Sequence, residues 1–252
     1  MPKPIKKRVH KKGIDERDVM SLYERLIDYY LENKKAVYRW AAIAVLLIAA
    51  AAAVVFYNRS LSEQAESLQY EGYKLYHNLY QGEEKKADEE TLKEALARFE
   101  AAYQKKSSPI TLLYIANTQF ALGRNEEALK TLDEFTRKYP RNEELLPLAY
   151  YKIAAIQAKE GRREEALKTL DTLYGLKASP FLKDVALYES AALLEKMGRK
   201  EEALKRYEEL VEKHPGSPYY QAALAKVKEE EKKKAEKKDD SGKGKPSGKK
   251  SK

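Results

Sequence analysis

Three stretches decide the fold: ALGRNEEALKTLDEF at 121–135, AKEGRREEALKTLDTL at 158–173 and EKMGRKEEALKRYEEL at 195–210. Their glycines, Gly123, Gly161 and Gly198, stand 38 and 37 residues apart, and Ala128, Ala166 and Ala203 keep the same spacing. Periods of this length mark stacked helix pairs. In each copy a first helix ends at the glycine, which accepts a left-handed C-cap. Arg-x-Glu-Glu-Ala-Leu then opens a second helix, with its acids at the positive end of the helix dipole. Ala116, Ala154 and Ala191, each twelve residues before the second-helix alanine, put small side chains where the partner helix crosses. Ser108-Pro109, Ser179-Pro180 and Ser217-Pro218 predict a serine N-cap followed by proline at the first helical position.

Composition agrees with an all-α reading. The 252 residues are 43% hydrophobic and 35% charged, with 11 Gly and 9 Pro, a balance typical of helical chains. The absence of cysteine excludes a disulfide framework, a thiolate zinc site, an iron–sulfur cluster and a cysteine nucleophile. The net charge of +9 is uneven. Residues 1–39 carry 11 basic and 6 acidic side chains and residues 226–252 carry 12 and 6, while the middle is slightly acidic. The basic balance therefore belongs to the two ends.

The repeats resemble the tetratricopeptide repeat family, whose pattern has small residues at its eighth and twentieth positions and proline at its thirty-second. With Ala128 and Ala203 as the twentieth, Pro140 and Pro215 fall at the thirty-second. Units start near Pro109, Asn142 and Pro180, and a less regular first unit surrounds Glu94-Ala95-Leu96. Alanine replaces the eighth-position glycine throughout, and the second unit carries two extra residues before Pro180. The resemblance implies a solenoid of helical hairpins over 58–225, with the first helix of each pair on the concave side.

Trp40 to Tyr57 (WAAIAVLLIAAAAAVVFY) has no charge and is flanked by Arg39 and Arg59. Eighteen helical residues reach about 27 Å, close to the hydrocarbon thickness of a bilayer. Trp40 and Tyr38 at one end and Phe56 and Tyr57 at the other fit interfacial aromatics. The 39 preceding residues, with an amphipathic helix of their own, argue against a cleaved signal peptide. Arg25, Lys34, Lys35 and Arg39 on the N-terminal side outnumber Arg59 and Lys74 on the other. That bias predicts a cytoplasmic N-terminus and, in a bacterium, a single-pass inner-membrane protein with a periplasmic C-terminal domain. Ala42, Ala49 and Ala53 share one stripe of the span, either a contact for another membrane helix or plain anchor composition.

Past the span, Ser60 to Tyr80 reads as a helix continuing out of the membrane, with Tyr70, Tyr73, Tyr76 and Tyr80 on one face. These rings either pack within their own unit or offer a peptide-binding face, since tyrosine joins apolar area to a hydrogen-bonding tip. Tyr114, Tyr150, Tyr151 and Tyr188 fall on later first helices. With the concave side implied by the family, the candidate partner-binding residues are Tyr70, Tyr73, Tyr114, Tyr151 and Tyr188.

At the N-terminal end, residues 15–33 read as an amphipathic helix with Asp15 as N-cap and Val19, Leu22, Leu26, Tyr29 and Tyr30 at helical spacing. Such a helix lies on the membrane or docks on a cytoplasmic partner. The basic stretch Met1 to Lys12 is drawn to anionic lipid. From Lys226 the chain reads as a lysine-rich tail, 226–252, whose first dozen residues extend a helix begun at Ser217. Its remainder is too polar to fold, and lysines without interleaved aromatics supply charge rather than specific nucleic-acid recognition.

No phosphate-binding loop, dinucleotide fingerprint, His-Glu-x-x-His or Gly-x-Ser-x-Gly occurs, and His10, His77 and His214 are scattered. The expectation is a non-enzymatic protein without cofactor or metal.

The whole layout resembles the YfgM-type ancillary subunits of the bacterial Sec translocon. The likeness rests on Tyr29-Tyr30-Leu31-Glu32-Asn33-Lys34-Lys35 before the span, Phe56-Tyr57-Asn58 after it, and Gln64-Ala65 to Tyr70 opening the repeats. The lysine tail is not part of that pattern. The resemblance implies protein partners: Sec translocon subunits beside the span, and a periplasmic chaperone or prolyl isomerase-like protein receiving translocated chains. A tetratricopeptide scaffold for another cell-envelope assembly complex is the alternative.

Overall fold

The computed structural model describes residues 16–79, 87–177, 180 and 182–242. All regular structure among them is helical. The chain falls into two compact units, one ending at Ser60 and the other beginning at Leu61.

The first unit holds α1 (Glu16–Glu32) and the start of α2 (Lys34–Tyr76). Asn33 alone separates them. Its backbone N–H and its Nδ2 both donate to the Tyr29 carbonyl, at 2.9 and 3.1 Å, while its own carbonyl accepts from Ala36 and Val37. One residue thus closes one helix and opens the next. The elbow is pinned by a 2.7 Å hydrogen bond between the Tyr30 and Tyr38 hydroxyls, their rings edge to face. Asp15, the expected N-cap, lies outside the described residues. From Trp40 to Tyr57 every side chain is exposed, with Leu46, Ile48 and Phe56 at 69%, 69% and 73%. This helix is long and apolar enough to cross a bilayer.

The second unit starts with the last turns of α2 and continues through α3 (Glu89–Lys105), α4 (Pro109–Ala121), α5 (Asn125–Lys138), α6 (Leu146–Lys159) and α7 (Arg163–Gly175). It closes with α8 (Lys183–Lys196), α9 (Lys200–Lys213) and α10 (Tyr220–Gly242). The helices α4 with α5, α6 with α7, and α8 with α9 form hairpins, and α10 packs on α9. The end of α2 pairs with α3, where Gly72 leaves so little room that an added Cβ would lie 2.9 Å from the Phe99 ring. Arg98 pairs with Glu71 at 3.2 Å, and Thr111 Oγ1 donates to Gln69 Oε1 at 2.5 Å.

The repeat follows from its caps. Gly123, Gly161 and Gly198 have φ of 76°, 79° and 78°, and each glycine N–H bonds three residues back. The next arginine N–H reaches five back, to Gln119, Gln157 and Leu194, at 2.9 Å in all three turns, the paired pattern of a left-handed helix stop. Those arginines bridge successive hairpins, Arg162 to Glu126 at 2.8 Å and Arg199 to Glu164 at 3.2 Å. Being exposed, such pairs add little stability and chiefly fix register. The six alanines assigned to helix crossings are all buried, at 3% exposure or less.

The serine-proline expectation is met in position at Ser108-Pro109, where Ser108 is the N-cap and Pro109 opens α4, and needs correction elsewhere. Ser108 precedes Pro109 at the start of α4 but makes no side-chain cap bond. Helix α8 begins at Lys183 after Leu182 in the left-handed conformation, not at Ser179-Pro180. Helix α10 begins at Tyr220, two residues after Pro218; Ser217 Oγ accepts from the Tyr219 N–H, and the Ser-Pro pair leads into a turn ahead of the helix. Ser179 lies outside the described residues, and at Ser217 the short side chain satisfies a local turn rather than a helix start. The post-span helix ends at Tyr76, and Tyr80 lies outside the described residues. Helix α10 carries the first part of the lysine-rich end to Gly242, beyond the dozen residues expected.

Two hydrophobic clusters fill the solenoid. The first runs from α3 to α6 around Phe99, Leu132 and Phe135; the second runs from α6 to α10 around Leu170, Leu187 and Tyr207. Helix α6 serves both, giving Ile153 and Ile156 to the first and Ala154 to the second. Between second helices, Tyr103 donates to Glu134 at 2.9 Å from α3 to α5, and Tyr174 donates to Glu209 at 2.6 Å from α7 to α9. At the matching places between α5 and α7 stand Thr136 and Thr172.

Candidate functional site: an aromatic groove on the first helices

The end of α2, with α4 and α6, encloses a groove of about 420 Å³ whose walls are mostly apolar. Tyr114 sits at its centre because the turn it occupies carries Ala116 inward on the opposite side. Its ring stacks on Phe99, 5.0 Å away at 11°, and receives the edges of Tyr73 and Tyr76 at 5.8 and 5.9 Å. His77 leans on Tyr73 at 4.4 Å. Burial pushes the Tyr114 phenol upward in pKa, with the Tyr73 and Tyr76 phenols adding to the effect. Exposed Leu148 and half-buried Ile110 give the groove an apolar floor, and Asn117 a polar point.

Tyr151 forms the far wall and also lines a smaller depression of about 90 Å³ that continues between α6 and α8. There Ala154, Ala155, Ala158 and Ala192 share the lining with Leu170, Leu193, Glu189 and Lys196. Burial raises the Tyr151 pKa, helped by the charge of Glu189.

Of the five tyrosines expected to bind partners, Tyr114 and Tyr151 line the groove, and Tyr73 meets Tyr114 in the aromatic cluster without lining the groove itself. Tyr188 instead stacks on Tyr219 at 4.5 Å and meets Tyr207 at 5.9 Å within the second cluster. Tyr70 is 60% exposed, touched by the Lys74 ammonium 4.8 Å above its ring, and lines neither cavity. Ala42, Ala49 and Ala53 are exposed on α2.

Three contributors were missed: Tyr76, placed in the stripe but not in the site, His77 and Lys152. The signal for Lys152 was available in the repeat register. Tyr114 stands two residues before Ala116, and Lys152 stands two before Ala154, whereas Tyr151 aligns with buried Leu113. Among the described residues no group of three His, Asp or Glu side chains is placed to hold a metal ion.

The tetratricopeptide repeat-like domain model matches residues 28–216. The chain belongs to that family. The tetratricopeptide match begins ahead of the apolar run and ends at the α9–α10 turn, so it takes in the run and the repeats together. No curated protein matches the chain. Among solved structures, a tetratricopeptide repeat protein from Parabacteroides merdae aligns with TM-score 0.52 at 18% identity, over 66% of this chain and 59% of that one. The chain thus spans less than two thirds of that relative, and the likeness is one of fold. YrrB, described as a TPR protein with an unusual peptide-binding site, aligns with TM-score 0.47 at 17% identity, covering 79% and 97%. MamA from Desulfovibrio magneticus RS-1, residues 41 to the end, gives 0.46 at 14%, covering 66% and 92%.

Proposed function

We propose that this protein is a non-enzymatic, membrane-anchored adaptor that holds a segment of a protein partner in the groove between α2, α4 and α6. The observation that carries the reading is the groove itself: apolar and aromatic area left open on a repeat fold whose family serves as protein-interaction scaffolds. Large aromatic surface with polar tips is what peptide sites are built from. Tyr73, Tyr114 and Tyr151 are the residues assigned to the contact, and Tyr70 and Tyr188 are the weaker members of the original five.

The anchoring part rests on the uninterrupted exposure of Trp40 to Tyr57. Leaving so many aliphatic side chains in water is unfavourable by roughly 1.5–3 kcal/mol per Leu, Ile or Val, which lipid removes. The four-to-two bias of basic residues supports a cytoplasmic N-terminus and, in a bacterium, a periplasmic repeat domain in the inner membrane. Protease treatment of intact spheroplasts tests this: the repeat domain should be removed and Met1 to Arg39 protected, and the opposite pattern inverts the topology.

Within that frame, the resemblance to YfgM-type subunits supports an ancillary role at the Sec translocon. The span, through Ala42, Ala49 and Ala53, would meet channel helices, and the groove would engage a chaperone, a prolyl isomerase-like protein or an emerging chain. Recovery of Sec channel subunits as major partners in mild detergent supports this assignment. Their absence, with other envelope proteins in their place, favours the alternative scaffold for cell-envelope assembly. Ala49→Leu with Ala53→Leu should leave insertion intact and reduce channel recovery, and unchanged recovery would return the stripe to anchor composition.

A further inference from the structure

The groove lining contains one cation, and it has no carboxylate partner among the described residues. This is Lys152, on α6, which lines the groove beside Tyr151 and is half-buried. The ammonium lies over the Phe120 ring, 5.2 Å from its centre. Burial alone lowers its pKa, with no neighbouring charge among the causes. Lys159 also rests over the Phe120 ring, at 4.6 Å, but is exposed, whereas Arg162, Arg199, Arg206, Lys213 and Lys226 hold carboxylates at 3.2 Å or less; Lys152 combines half-burial with a place in the groove lining. Desolvating a charge without a counter-ion is unfavourable, and a methionine or leucine there would have filled the same volume at no such cost.

We infer that Lys152 is the selectivity element of the groove, and that the segment it accepts is an extended peptide carrying an Asp or Glu side chain between apolar residues. This deepens the groove reading above and rests on it. The groove lining contains one lysine and no carboxylate, so charge complementarity specifies an anionic side chain. The source is internal to the peptide rather than a chain terminus because Tyr151, next to Lys152 in the lining, also lines the second depression along α8, which offers the main chain a place to continue. In that depression Glu189 and Lys196 are both present, so the anionic preference belongs to the first part of the path.

The full-length protein in detergent or nanodiscs tests this against pooled N-acetylated, C-amidated hexapeptides. The pools hold Leu and Tyr fixed and carry Glu, Gln or Lys at one central position. The Glu pool should bind about tenfold tighter than the Gln pool, the size of a charge-assisted hydrogen bond in a partly desolvated site, and the Lys pool weakest. Lys152→Met should bind Glu and Gln pools alike while melting no lower than the parent, and Lys152→Arg should keep the Glu preference. A free C-terminal acid on the Gln pool should bring no gain. An undiminished Glu preference in Lys152→Met overturns the assignment. So does a gain from the terminal acid that matches the Glu effect. Equal binding of all pools removes the inference and leaves the groove reading standing, whereas no binding by any pool removes both.

Discussion

The two halves of the repeat domain use tyrosine in opposite directions. In the first half, exposed Tyr73 and half-buried Tyr76 and Tyr114 gather where α2 meets α4, Tyr114 stacked on Phe99 of the core and, with Tyr76, lining the groove. In the second half, Tyr207 is buried in the core and half-buried Tyr188 and Tyr219 pack on it between α8, α9 and α10, and the depression along the first helices is lined by Ala155, Ala158 and Ala192 beside Glu189 and Lys196. The backbone repeat is the same in both, with the same glycine stops and crossing alanines. What differs is where bulk is placed on the framework, and this leaves an aromatic groove over one half and a shallow, alanine-lined path over the other.

The largest expected effect breaks the second half. Tyr207 is 3% exposed, and Tyr207→Ala should cost about 3–5 kcal/mol in chemical unfolding, while groove binding of the surviving folded protein stays intact. A small effect would mean that the buried tyrosines are dispensable and the two halves alike. Next comes the seam that mounts the groove. Gly72→Ala pushes a methyl against Phe99 and should destabilise by about 1–3 kcal/mol as an overpacking change, with binding weakened because Phe99 carries Tyr114. Tyr114→Leu keeps apolar volume but loses the ring contacts; a cost of about 1 kcal/mol should accompany a loss of partner crosslinking larger than that stability change explains.

A smaller effect is read by pH. Burial and the Glu134 hydrogen bond push the Tyr103 phenol up to about 12. The unfolded chain ionises its tyrosines near 10, so the contribution is complete below that pH and is lost as pH rises from about 10 to about 12. Partial exposure screens it, and Tyr103→Phe should flatten this part of the alkaline limb in a denaturation series. Smallest of all, Tyr70→Ala should stay within about 0.5 kcal/mol, as an exposed position does. If it abolishes partner crosslinking all the same, the binding surface extends along α2 beyond the groove.

Much of this architecture was legible because its determinants are local. Gly123, Gly161 and Gly198 announce their own conformation, and the alanine spacing of 38 and 37 residues carries the hairpin register from one unit to the next. The uncharged run at 40–57 needs no tertiary information either. Helix starts were less legible. Ser-Pro pairs suit a cap and a turn equally well, and whether the chain between α7 and α8 begins a helix at Pro180 or Lys183 depends on how Leu182 is held. The groove was half legible. Helical spacing put Tyr73 and Tyr114 on first helices, but which side of a first helix faces outward depends on the neighbours it packs on, so Tyr188 was grouped with residues it does not join. Lys152 was passed over because a lysine among 49 basic residues carries no signal until its lack of a partner is seen.

The arginine after each glycine stop has a consequence for editing the chain. Arg162 and Arg199 occupy the same register, and so do their partners Glu126 and Glu164, each two residues before its second-helix alanine. Cutting out residues 162–198 therefore splices Arg199 onto Gly161 and delivers its guanidinium to Glu126 in place of Glu164. The turn, the bridge and the crossing alanines Ala154 and Ala203 all meet an equivalent neighbour. Some side-chain bonds are not replaced: Gln157 loses Thr169 and would face Arg206, Glu209 loses Tyr174 to Thr136, and Tyr207 and Lys226 lose Glu195 to Ala158. The chain is thus written in interchangeable lengths, and its size is a matter of how many lengths are strung together.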